Sequence, residues 1–340
     1  MKGIKKAPVF KKKVILRVDF NCPLSKKGKI LDTFRIEKSL PTIKYLINKK
    51  SKIIIITHLG RPEGKVVKKL RLDEIKKAFE KLLKRKIKKA NEAIGEKVEK
   101  MVEELKEGEI LLLENIRFYP EEEKGDENFA KRLANLGDVF ILDALSVCHR
   151  DHASVTKIAK FLPSFAGFSL IEEVNVLKKI KKNPKRPLVS IIGGKKKEKF
   201  EILDNLCKIS DWVLVGNLIS KKLKKMKIKF PEKIVFPVDG KEDLGEKTIR
   251  IFEEKIKNAK TIFWTGPLGK IEEKKYQKGT LKIAKAILES GAFSVVGGGD
   301  TVEFLRSKKL DKKFSFVCSG GSAMIQFLAG KELPGLKILE

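Results

Sequence analysis

The sequence predicts an α/β protein made of two doubly wound parallel-sheet domains. Short, near-continuous apolar runs such as Ile53-Ile54-Ile55-Ile56 and Ile110-Leu111-Leu112-Leu113 alternate with amphipathic helical stretches. Strands that are apolar on both faces belong to parallel sheets covered by helices. The strand series stops between Pro163 and Pro187 and then begins again. At 340 residues the chain is also longer than the roughly 100–200 residues of a single domain.

In the first half, Lys13-Val14-Ile15-Leu16-Arg17-Val18-Asp19-Phe20-Asn21 reads as a strand with polar groups at its carboxyl end. Thr33-Phe34-Arg35-Ile36 opens a helix whose apolar positions continue through Leu40, Ile43, Leu46 and Ile47. Ile53 to Ile56 form a buried strand running into His58, Gly60 and Arg61, and residues 71–89 read as one amphipathic helix. Residues 110–118 are a strand with Arg117 just beyond its core, 128–134 a helix, and 139–144 a strand followed by Cys148-His149-Arg150-Asp151-His152. Polar residues thus recur after strands: Asp19, Asn21, His58, Arg61, Arg117, Asp143, His149 and Arg150. In an open α/β sheet the carboxyl ends of the strands converge on one crevice. Taken singly, each of these residues is an ordinary surface or structural group. Arg35, Arg61, Arg117 and Arg150 recurring together point instead to a small anionic ligand.

Residues 171–180 read as a helix closed by Asn183-Pro184, the connector between the domains. Beyond it, residues 188–192, 212–216, 233–239, 261–264, 294–296 and 314–318 read as strands, with a helix over 198–207. Four of these strands end in glycine loops: Gly193-Gly194-Lys195-Lys196, Thr265-Gly266-Pro267-Leu268-Gly269, Gly297-Gly298-Gly299-Asp300-Thr301 and Ser319-Gly320-Gly321-Ser322. Glycine lets a backbone approach a phosphate, and a helix start offers N–H groups to it. Each loop alone has an equal reading as a turn, with Asp300 or Thr301 as a plain helix cap. Four on one sheet edge indicate a nucleotide site. Asp300 has the wrong sign for a phosphate and the right chemistry for a Mg²⁺ that phosphates share. No loop matches the GxxxxGK[ST] or GxGxxG fingerprint.

No apolar run reaches the roughly 18 residues of a membrane span, and no signal-like segment follows Met1, so a soluble, cytoplasmic protein is expected. Cys22, Cys148, Cys207 and Cys318 are scattered without a CxxC pair, which points to reduced thiols rather than a disulfide framework or zinc site. The net charge of +32 comes from 76 basic residues, only 11 of them Arg. The lysines are spread along the chain rather than gathered in a stripe, which argues against nucleic acid as the partner. Where Lys is the default cation, each Arg is the more informative.

These segments together resemble the phosphoglycerate kinase family nearly end to end. Arg17-Val18-Asp19-Phe20-Asn21-Cys22-Pro23 is similar to RVDFNVP, Thr57 to Pro62 to SHLGRP, and Leu113 to Phe118 to LLENxRF. Asp143-Ala144 with His149-Arg150 resembles NDAFGTAHR, and Gly193-Gly194-Lys195-Lys196 resembles GGAK. Trp264 to Glu272 resembles WNGPMGVFE, Gly297 to Thr301 is GGGDT unchanged, and Glu332-Leu333-Pro334-Gly335 resembles the closing ELPG.

The resemblance implies two Rossmann-like domains joined by a hinge helix near Glu173. Residues 1–170 would bind 3-phosphoglycerate, 171–330 would bind the nucleotide, and 331–340 would pack back onto the first domain. It implies a monomer catalysing reversible phosphoryl transfer between 1,3-bisphosphoglycerate with ADP and 3-phosphoglycerate with ATP, in glycolysis and gluconeogenesis. By motif, Asp19, Asn21, Arg35, His58, Arg61, Arg117 and Arg150 would hold the glycerate. Gly193, Gly194, Lys196, Glu272, Gly297, Gly298, Gly299, Asp300 and Thr301 would hold Mg-ATP or Mg-ADP, with Arg35 and Lys196 catalytic, Glu272 on the ribose and Asp300 on the metal. A carboxylate nucleophile has no proton to lose, so positioning and charge neutralisation carry the chemistry. Thr265 stands where the family has Asn, Ser322 where it has Gly, Leu142 and Leu145 flank Asp143 in place of Asn and Phe, and the segment after Asp239 is short. The competing expectation is a catalytically impaired relative that binds polyanions or nucleic acid through its charge.

Overall fold

The computed structural model describes residues 1–194, 203–224 and 230–340. They form two compact units, Met1–Val174 with Glu332–Glu340, and Asn175–Lys331. The border falls within the helix Phe168–Lys182. Each unit is built on one six-stranded sheet, and every pairing between strands in it is parallel.

In the first unit the strands are β1 (Lys13–Val18), β2 (Lys52–Ile56), β3 (Lys88–Lys89), β4 (Ile110–Leu112), β5 (Val139–Asp143) and β6 (Ser164–Ala166). Their spatial order is β3-β4-β2-β1-β5-β6. The chain winds outward from β1 through β2, then returns to lay β5 on the other flank of β1. Connections therefore diverge between β1 and β5, and at that switch point a crevice opens outside the carboxyl ends. Ile53, Ile54, Ile55 and Ile56 are wholly buried, each contributing about 1.5–3 kcal/mol of transfer free energy. The helix Phe34–Asn48 covers the sheet with Ile36, Ile43 and Leu46.

In the second unit β7 (Leu188–Ile192), β8 (Trp212–Val215), β9 (Ile234–Val235), β10 (Thr261–Thr265), β11 (Phe293–Gly297) and β12 (Phe316–Cys318) lie in the order β12-β11-β10-β7-β8-β9. The switch point here lies between β7 and β10. The four strands that end in glycine loops, β7, β10, β11 and β12, are contiguous in the sheet. The closing segment belongs to the first unit, where the Gly335 amide donates to the Cys148 carbonyl at 2.9 Å.

The structure corrects several sequence expectations. The helix predicted over 71–89 runs only from Asp73 to Leu83. Lys84 turns left-handed (φ 54°) with its amide on the Glu80 carbonyl, and Glu80 Oε1 accepts from the Ile87 amide at 3.0 Å. Lys88 and Lys89 then pair with Leu111 and Leu112 as an edge strand. The strand expected over 110–118 stops at Leu112 because Glu114 and Asn115 turn their side chains onto the backbone amides of Leu72, Leu59 and Arg117. β6 lies where the strand pattern stops, and β9 keeps two residues of the expected 233–239. The helix Glu96–Glu103 was not predicted, and the helix expected over 198–207 is described only as Leu203–Ile209.

A left-handed conformation costs a non-glycine residue roughly 1–2 kcal/mol. Lys84→Gly is therefore expected to stabilise the protein by about 1 kcal/mol, net of the extra chain entropy that glycine brings. Chemical denaturation of the variant checks this, and an unchanged or lower midpoint contradicts it.

Candidate active site

At the carboxyl end of β1, Asp19 is 5% exposed and is the hub of the first cluster. Its carboxylate takes an ion pair from Arg35 in the first turn of the next helix, a hydrogen bond from the Ser146 hydroxyl, and the Asn21 amide at 2.9 Å. Asn21 Oδ1 in turn accepts from the Gly60 amide at 2.8 Å, tying the loop after β1 to the loop after β2. That second loop carries His58, buried, and Arg61, exposed. Arg117, after β4, donates to the Gly60 carbonyl at 2.8 Å and pairs with Glu123 at 3.1 Å. Arg150, half-buried after β5, is close enough to lower the proton affinity of Arg117, His58 and His149. The structure thus brings Asp19, Asn21, Arg35, His58, Arg117 and Arg150 into one electrostatic cluster. Arg61 shares their loop but carries none of its ion pairs among the described residues.

Cations dominate this edge. Burial, then Arg17, Arg117, Arg35 and Arg150, hold His58 well below the usual histidine range. His149 is pushed down to about 4 by burial and then by Arg150. Arg117 is lowered to about 10, again by burial and then Arg150. Uncompensated positive charge in a partly desolvated crevice is a binding site for an anion.

Asp143, at the end of β5, takes a structural place instead. Burial raises it to about 6 against hydrogen bonds from Thr42 and the Leu170 amide. A carboxyl whose native pKa lies above its unfolded value holds a proton that the unfolded chain releases between about pH 4 and 6. Its contribution to stability therefore falls as pH rises through that window. Relative to Asp143→Asn, the wild type is expected to lose on the order of 2–3 kcal/mol between pH 4 and 7. Denaturation of both proteins across that range tests it, and parallel stability curves contradict it.

In the second unit a small cavity is lined by Gly194, Thr265, Gly266, Gly298, Gly299, Asp300, Thr301, Gly321, Ser322 and Ile325. It opens where β7, β10, β11 and β12 end. Gly298 has φ +98°, which only glycine adopts without strain. A side chain at Gly193 would meet the Pro267 carbonyl at 2.0 Å, so the strand ends close together only because glycine is there. At Gly299 and Gly321 an added Cβ would meet nothing within 4 Å; these backbones face open space at the starts of the helices Gly299–Ser307 and Gly321–Leu328. Thr301 Oγ1 is buried with no hydrogen-bond partner among the described residues. Two helix starts, backbone open to approach and a buried hydroxyl without a partner among the described residues fit a bound phosphate. Asp300 lines this cavity and also a neighbouring cleft of about 270 Å³ with Ile271, Glu272, Gln277, Glu303, Phe304 and Ser307. Lys196 lies outside the described residues.

This chain matches the family model described as phosphoglycerate kinase over residues 4–235 and 235–331. The chain belongs to the phosphoglycerate kinase family. It is 38% identical over 384 residues to the phosphoglycerate kinase of Coprothermobacter proteolyticus, covering 99% of this chain and 98% of the relative. It is 39% identical over 380 residues to that of Dictyoglomus turgidum, covering 97% and 96%. The crystal structure of the Pyrococcus horikoshii phosphoglycerate kinase superposes with a TM-score of 0.90 at 27% identity, over 100% of this chain and 98% of that one. The Coxiella burnetii structure gives 0.82 at 31%, covering 99% and 98%. Membership makes the chain a glycolytic kinase that transfers phosphate to a carboxyl group.

Thr265, Gly266, Gly321 and Ser322 belong to the glycine loops that indicated a nucleotide site, but the motifs assigned them no individual role; the structure places them in the cavity wall. Sequence reasoning left out Arg17, Glu122 and Ser154, which form a buried network behind Asp19 and His58. An arginine inside the apolar run of a central strand was the available clue, since a buried guanidinium requires buried partners.

Proposed function

We propose that the first cluster binds 3-phosphoglycerate and the second binds Mg-ATP, with the γ-phosphoryl passing to the glycerate carboxylate. Arg35, Arg61, Arg117 and Arg150 hold the anionic groups of the glycerate. Asp19 orients Arg35 and accepts from the substrate hydroxyl, Asn21 holds the Gly60 loop in register, and His58 donates to a substrate oxygen. The glycines and amides at Gly193, Gly194, Gly297, Gly298 and Gly299, with the Thr301 hydroxyl, cradle the nucleotide phosphates, and Glu272 accepts from the ribose hydroxyls. Asp300, an exposed carboxylate beside a phosphate cradle, suits Mg²⁺, which keeps several waters and binds chiefly through the phosphates. When bound, the metal neutralises phosphate charge. Lys196 is assigned beside the transferring phosphoryl on its motif alone.

The reacting carboxylate is already ionised, so no side chain has to remove a proton. The protein's contribution is placement and charge compensation. What supports this reading is one coincidence: each proposed site residue among the described ones lies at the carboxyl end of a parallel strand or in the segment that follows it. Coupled consumption of ATP is expected to depend on added 3-phosphoglycerate, to stop with a chelator and to resume with Mg²⁺. Hydrolysis of ATP at the same rate without 3-phosphoglycerate would defeat the reading.

A further inference from the structure

Behind the glycerate cluster, a chain of buried side chains runs from Glu122 to His58. Glu122 is wholly buried and accepts hydrogen bonds from the Ser154 amide at 2.9 Å and the Ser154 hydroxyl at 2.6 Å, with His152 Nδ1 at 3.6 Å. Ser154 Oγ accepts from Arg17 Nε at 2.9 Å. Arg17, 1% exposed, also donates to the Val18 carbonyl and places its other terminal nitrogen 3.3 Å from His58 Nδ1.

Each link fixes the direction of the next. A hydroxyl has one hydrogen, and that of Ser154 goes to Glu122, leaving a lone pair for Arg17. A guanidinium has five donors and no acceptor, so the nitrogen of His58 facing it must accept. The competing acceptor, Asp19 Oδ1, lies 4.0 Å from Nδ1, beyond hydrogen-bond reach, and already takes the Asn21 amide.

We infer that Glu122, Ser154 and Arg17 act as positioning residues that lock His58 as the neutral Nε2–H tautomer, making it a one-way hydrogen-bond donor to a glycerate oxygen rather than a cation. The glycerate part rests on the function proposed above. The charged groups around the ring are Arg17, Arg35, Arg117 and Arg150, opposed by Asp19. They and burial disfavour a second proton on the ring, in agreement with the geometry. The arginines then supply the charge for the substrate, and His58 supplies direction.

The chain has three histidines, so long-range ¹H–¹⁵N spectra of histidine-labelled protein resolve each ring, with His58→Gln giving the assignment. His58 is expected to carry its proton on Nε2 and to show no titration between pH 6 and 8. A proton on Nδ1, or titration in that range, overturns the inference. Ser154→Ala removes the link while leaving Glu122 its contacts with the residue-154 amide and His152. It is expected to raise the KM for 3-phosphoglycerate about tenfold, the loss of one charge-assisted hydrogen bond. The KM for ATP should stay unchanged, and the His58 signal should lose its fixed tautomer. Glu122→Gln, whose amide presents a donor to Ser154, is expected to do the same. Variants that fold and leave both the His58 spectrum and that KM at wild-type values overturn the proposal. Active wild type with a titrating His58 defeats this inference alone. A locked His58 in a protein that never consumes 3-phosphoglycerate defeats the proposed function and the glycerate half of the inference with it.

Discussion

Asp300→Ala is expected to lower kcat by about a hundred- to a thousand-fold, the usual cost of losing one preorganised charge partner in a transfer site. Its affinity for 3-phosphoglycerate should stay at the wild-type value. The two halves of that expectation have separate origins. Asp300 lines both the small glycine-walled cavity and the adjoining cleft with Glu272, so its carboxylate lies where phosphate and sugar are proposed to meet. A negative group there repels phosphates unless a divalent cation lies between them. The glycerate set of Asp19, Asn21, Arg35, His58 and Arg117 belongs to the other compact unit and shares no residue with this cavity. Initial rates with titrated Mg²⁺, together with calorimetry of 3-phosphoglycerate, separate the two effects. A wild-type kcat would remove Asp300 from the metal role.

The second large effect is expected from Arg61→Lys, which leaves the net charge untouched. Arg117 is committed to Glu123 and the Gly60 carbonyl, and Arg35 to Asp19. Arg61 is exposed and carries no ion pair among the described residues, so its planar fork is available to a ligand. A lysine supplies the charge but not the paired N–H geometry. Losing one charged hydrogen bond costs about 1.5–3 kcal/mol, or roughly ten- to more than a hundred-fold in affinity. The alternative source of binding is the diffuse field of a chain with net charge +32. Neutralising Lys12 and Lys86 tests that source. Both are exposed and lie next to the amino-terminal ends of β1 and β3, at the far edge of the sheet from the cluster. Titration at two salt concentrations should show the Arg61 variant weakened and the lysine variants near wild type. The reverse pattern would favour nonspecific polyanion binding.

Most of this architecture is written in local pattern. The strands at the centre of each sheet are long and apolar, so β1, β2, β5, β7, β10 and β11 are legible from composition alone, and the loops after them announce the sites. What escapes is what nonlocal contacts decide. β3 is two lysines whose strand geometry comes only from Leu111 and Leu112 beside them, and β6 comes from Phe140, Ile141 and Leu142. Neither has enough residues to show a period. The early end of the helix at Leu83 is set by a left-handed lysine, a residue type that carries no stop signal. In the site, Arg35, Arg61 and Asp300 are visible because their residue types are rare or flanked by glycine. The chain from Glu122 through Ser154 and Arg17 to His58 joins residues far apart in sequence and emerges only when β1 is packed against its neighbours.

Movement of the phosphoryl group from ATP to a carboxylate makes an acyl phosphate, and hydroxylamine reports that bond directly. An acyl phosphate formed from 3-phosphoglycerate is trapped as a hydroxamate, whereas a phosphate ester or free phosphate is not. With Mg-ATP, 3-phosphoglycerate and hydroxylamine, the protein is expected to yield one hydroxamate for each ADP released. Release of ADP with free phosphate and no hydroxamate would contradict it.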